Sequence, residues 1–82
     1  MLSKHTEAIC ERVHLVRTVN NITRKDLNDT MRKHKDYDYS EHYIKGVETK
    51  RHGPSFEYLI VLRSLFNLRW EWLMEGKGRM VE

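Results

Sequence analysis

The sequence predicts an all-α domain of five short helices. Three observations carry that expectation. Apolar residues recur at helical spacing in separate short stretches, with no alternating run long enough for a convincing strand. A helix-capping residue (Thr6, Thr23, Ser40 or Ser55) precedes four of these stretches. Asparagine or glycine follows several of them, as a left-handed helix stop requires.

The first helix is expected from about Thr6 to Val19. Thr6 is its N-cap, and Ile9, Val13 and Val16 form its inner stripe. Asn20-Asn21 ends it. The second begins at Thr23, with Asp26 three residues on and Leu27 and Met31 as its apolar stripe. The polar stretch Arg32 to Asp38 has no periodicity and reads as a helix end followed by a loop. Ser40 caps the third helix, whose inner face is Tyr43, Ile44 and Val47. Thr49 to Pro54 is a turn. Ser55 caps the fourth helix, and Phe56, Leu59, Ile60, Leu62 and Phe66 are expected to be its buried face. Asn67 stops it. A last short helix holds Trp70, Trp72, Leu73 and Met74 and ends at Gly76 and Gly78. Trp72 and Phe66 are expected in the core. So short a helix cannot bury every face, so Trp70 is expected at a dimer interface, where aromatic residues are enriched.

Composition narrows the function. A chain of 82 residues holds one domain, here residues 1–82, and a domain this small gains from a partner subunit. Apolar content of 39% with 33% charged residues fits a soluble folded domain. No apolar run is long enough to span a bilayer, and Met1 to His5 lacks a leader's apolar stretch, so a cytoplasmic location is expected. The single cysteine, Cys10, suits a reducing compartment and reads as a packed thiol. The five histidines do not fall at zinc-ligand spacing, and no metal or cofactor is expected. Nor does any nucleophile–base pair, carboxylate dyad or glycine-rich phosphate loop stand out, so an enzyme is not expected. The net charge of +3 is unevenly spread. Arg24, Lys25, Arg32, Lys33 and Lys35 form one basic group, and Lys45, Lys50 and Arg51 a second. Such gathering is the footprint of phosphate contacts, although a solvated helix face gives the same pattern.

Motifs spread over about residues 9 to 78 resemble the lambda-repressor/Cro (Xre-like) helix-turn-helix family. Ile9 to Arg17, with Arg12 before Val13 and Arg17 five residues later, is similar to the family's opening helix. Ile22-Thr23-Arg24-Lys25-Asp26-Leu27 resembles the start of its second helix, and Tyr39 to Glu48 its recognition helix. Pro54-Ser55-Phe56 through Leu59 and Leu62 resembles its fourth helix, and Trp70-Glu71-Trp72-Leu73-Met74 its closing segment. The resemblance implies a compact five-helix lambda-repressor-like domain that binds double-stranded DNA as a homodimer on an inverted repeat. It implies a transcriptional regulator, and the short format fits a phage or mobile element. By the same resemblance Ser40, Glu41, His42 and Lys45 face bases. Thr23, Arg24, Lys50, Arg51 and His52 face phosphates, and Arg17 pairs with Glu48.

The match departs from the family at several points. The turn in the motif is enlarged by about six residues around His34 to Asp38 and could contact backbone phosphates or be a surface insertion. Asn28 and Arg63 stand where the family prefers alanine, Arg24 replaces glutamine and Arg69 replaces a serine cap. Glu41 places negative charge on the reading face, which also suits a protein partner. The alternative expectation is therefore a protein-binding module on the same fold, such as an antirepressor or antitoxin.

Overall fold

The computed structural model describes residues 2–34 and 39–82. Among these residues the chain forms five helices: α1 Lys4–Val19, α2 Arg24–Arg32, α3 Glu41–Glu48, α4 Phe56–Phe66 and α5 Trp70–Glu75. The expected loop contact at Lys35 to Asp38 lies outside the described residues. The radius of gyration is 11.7 Å, the size of a folded domain of this length.

Local chemistry accounts for most helix ends. At α2, Thr23 accepts from the Asp26 amide while the Asp26 carboxylate accepts from the Thr23 amide, a reciprocal cap. Ser40 accepts from Tyr43 N and Ser55 from Tyr58 N at the starts of α3 and α4. Asn21 and Asn67 take left-handed conformations after α1 and α4, with φ of 56° and 54°. After α3 the left-handed residue is Lys50, at φ 64°. Arg51 N then returns to Gly46 O at 2.8 Å and Lys50 N to Val47 O at 3.1 Å, which satisfies two of the helix's last carbonyls.

Two sequence expectations are corrected. The first helix starts before Thr6, because Ser3 is the cap and its hydroxyl accepts from Thr6 N at 3.1 Å. The added turn is polar and exposed, so the apolar period beginning at Ile9 did not reveal it. The face of α4 is also different. Tyr58, Leu59, Val61 and Leu62 are buried, while Phe56 is 67% and Ile60 42% exposed. The run from Phe56 to Leu62 is apolar on nearly every side, so periodicity alone cannot choose its rotation. Tertiary bonds choose it: the Ser55 amide donates to the Tyr43 hydroxyl at 2.8 Å, and the Ser55 and Tyr39 hydroxyls also bond.

One core joins all five helices. Cys10, Val13 and Val16 of α1 meet Leu27 and Met31, Ile44 and Val47, Leu59 and Leu62, and Trp72 and Leu73. Each fully buried aliphatic side chain contributes about 1.5–3 kcal/mol. Phe66 is only half-buried and packs on the edge of this core. Arg12 ties α5 to α1: its Nε donates to Leu73 O at 2.8 Å and its Nη2 to Met74 O at 3.1 Å. These are terminal carbonyls of a helix, where a cation is favoured. Helix α5 has no side-chain cap at Arg69. Its start is held instead from the chain's end, through Arg69 N to Met80 O and a single antiparallel bridge between Leu68 and Val81.

Candidate nucleic-acid interface

Helix α3 has two faces because its apolar residues recur at helical spacing. Ile44 and Val47 are completely buried and Tyr43 is half-buried. Glu41, His42 and Lys45 are exposed, and so is Ser40 at the cap. The structure therefore brings the four residues expected to face bases onto or beside the solvent side of one helix. The Ser40 hydroxyl is already engaged with Tyr43 N.

The orientation of α3 is fixed at both ends. At its start, Tyr39, Tyr43, Tyr58 and His52 form an aromatic cluster. The Tyr39 and Tyr43 hydroxyls bind Ser55 at the start of α4. The phenol of Tyr58 is buried, which pushes its pKa up and keeps it neutral.

At its end, the Glu48 carboxylate is solvent-free and receives three side chains from two other helices. Arg17 of α1 binds both oxygens, Nε to Oε2 at 2.7 Å and Nη2 to Oε1 at 2.9 Å. Arg24 of α2 gives Nε to Oε1 at 2.9 Å, and His14 of α1 places Nδ1 3.0 Å from the same oxygen. Burial is the largest influence on Glu48 and opposes its charge. The hydrogen bonds from Arg17, Arg24 and His14 together outweigh it and hold the carboxyl below the usual glutamate range.

The residues expected to face phosphates are placed less uniformly. Thr23 is exposed, with its hydroxyl in the α2 cap. Arg24 reaches Glu48 yet remains one-third exposed. Lys50 pairs with Glu11 across the surface at 2.6 Å. Arg51 is exposed. His52 is turned onto α3, its ring 4.8 Å from that of Tyr43 and packed over Gly46.

A Cβ at Gly46 would lie 2.8 Å from His52 Cδ2 and nearer still to Nε2, so only glycine leaves room for the ring. This predicts a sign reversal. Gly46→Ala should displace the imidazole and destabilise the native protein. In a His52→Ala background it should stabilise by about 0.5–1 kcal/mol, the helix-propensity difference. Urea unfolding of the four proteins checks the cycle.

Away from α3, Trp70 is half-buried and stacks with exposed Phe56, ring centroids 6.2 Å apart. Arg63 lies over Trp70 with its Cζ 5.2 Å from the ring centroid, which accounts for an arginine on this face. Asn28 is buried against the core, and among the described residues its Oδ1 has no hydrogen-bond partner.

No family model, no characterised protein and no solved structure matches the chain significantly. The functional reading therefore rests on this geometry and on the sequence motifs. Among the described residues, no helix is long and apolar enough to cross a membrane.

The sequence motifs do not single out His14, and they do not connect Arg24 with Glu48. One signal was present. His14 and Arg17 are three residues apart, and on a helix that spacing puts both on one face.

Proposed function

We propose that the chain is a sequence-specific double-stranded DNA-binding protein of the lambda-repressor/Cro helix-turn-helix type, acting as a small cytoplasmic transcriptional regulator. The observation that carries this reading is the anchoring of α3. Both ends are held by buried or half-buried polar contacts, while Glu41, His42 and Lys45 stay exposed. A helix read by DNA must be rigid in orientation and polar on its outward face. In this reading α3 enters the major groove, and Arg24 and Arg51 hold the backbone on either side. No catalytic step is assigned to it. Phe56, Ile60 and Trp70 supply the homodimer contact, which sets two α3 helices about 34 Å apart over an inverted repeat.

A second reading, a protein-binding module, draws on two features. Glu41 opposes phosphate on the outward face of α3, and Phe56 exposes an aromatic ring.

Salt dependence separates the two. Binding of a mixed-sequence duplex should weaken linearly on a log–log plot against salt. Arg51→Ala should weaken every sequence alike and reduce the slope by about one. No duplex binding at moderate salt, together with a tightly co-purifying protein chain, would favour the module instead.

A further inference from the structure

Glu48 is met by more cationic side chains than one carboxylate neutralises. Arg17 is spent inward: it is 13% exposed, gives two nitrogens to Glu48 and gives Nη1 to Ile22 O at 2.8 Å. His14 and Arg24 are different, with side chains 45% and 33% exposed. Each offers Glu48 one inner nitrogen, Nδ1 of His14 and Nε of Arg24, and both bond the same atom, Oε1. The two nitrogens are therefore no more than about 6 Å apart, two hydrogen-bond lengths through one shared oxygen. His14 Nε2 and the two terminal nitrogens of Arg24 make no other hydrogen bond among the described residues.

We propose that His14 and Arg24 together form a phosphate site, and that in the DNA complex it holds one backbone phosphodiester beside α3. The ligand's identity rests on the DNA-binding reading, and the site's geometry does not. Two guanidiniums against one carboxylate leave a net positive charge, and the exposed side of that excess is made by these two residues. With Nδ1–H donated to Glu48, neutral His14 has only an acceptor at Nε2. Only the imidazolium presents an N–H outward, so the complete site needs that form of His14. Among the described residues, His14 bonds Glu48 of α3, and the same oxygen also takes Arg17 from its own helix and Arg24 from α2. The buried, neutral phenol of Tyr58 on α4 lies within electrostatic reach of Glu48 and Arg17.

Two arms test the site on the full chain. In the first, inorganic phosphate is titrated at pH 6.0 while the His14 ring is followed by NMR. A saturable shift that Arg24→Gln abolishes is expected. A shift that rises linearly without saturating, or that survives Arg24→Gln, overturns the site. In the second, duplex affinity is compared at pH 6.0 and 7.5. The native protein should bind more tightly at pH 6.0, by at most about tenfold per pH unit, the limit for one proton. His14→Gln should erase that difference, and His14→Lys, cationic at both pH values, should bind tightly at both. An unchanged pH dependence in His14→Gln overturns the assignment. Saturation by inorganic phosphate with no duplex binding at either pH upholds the phosphate site and removes DNA as its source.

Discussion

Glu48→Gln is expected to destabilise the fold by about 3–5 kcal/mol, the usual result of removing one partner from a buried ion pair. Glutamine keeps one acceptor but turns an amide donor toward Arg17, whose side chain is 13% exposed and already bonds inward through all three of its nitrogens. The guanidinium is left short of acceptors where water reaches it poorly. The loss exceeds what the pair itself contributes, because the intact pair has its own desolvation to offset. For a domain of this size the thermal midpoint should fall by at least about 12 °C.

The same substitution has a pH signature. Contacts with Arg17, Arg24 and His14 outweigh burial and depress the folded-state pKa of Glu48. Its contribution is therefore complete above the unfolded value, about 4.3, and is lost as pH falls through the lowered folded value. The stability gap between native protein and Glu48→Gln should be widest near neutrality and narrow as the solution is acidified below about pH 4.5. Urea midpoints at several pH values read this directly. Equal midpoints near neutrality would mean that Glu48 does not hold α3 in place.

Lys45→Ala is expected to leave stability within about 0.5 kcal/mol, since Lys45 is exposed and its side chain makes no hydrogen bond or ion pair among the described residues. Its effect should fall on recognition. A lysine that reads guanine acceptors supplies about 1–3 kcal/mol of discrimination at one base pair. The check is affinity for a selected site against the same site altered at each position in turn. Discrimination should vanish at one position and persist elsewhere. An equal loss on all sequences would make Lys45 a backbone contact. No loss at all would remove the outward face of α3 as the reading surface.

What could be read in the sequence was local. Thr23, Ser40 and Ser55 cap helices because a side-chain oxygen two or three residues before an amide suffices. Asn21, Asn67 and Gly76 stop helices because each tolerates a left-handed backbone. The face of α4 was not readable, because its rotation is set by Tyr39 and Tyr43 reaching Ser55 from 16 and 12 residues away. The Glu48 cluster was only partly readable. Arg17 was expected there from the family motif, but His14 and Arg24 come from 34 and 24 residues away, and only packing of three helices brings them to one oxygen. The resemblance places His52 among the phosphate-facing residues of the turn after α3. Its half-buried ring is explained by Gly46, a residue whose importance lies in what it lacks.

Selection of bound duplexes from a random-sequence library tests the central proposal most directly. The proposal predicts enrichment of one motif, an inverted repeat whose half-sites are about one helical turn apart. Recovery of no enriched sequence by a folded protein at moderate salt would contradict it.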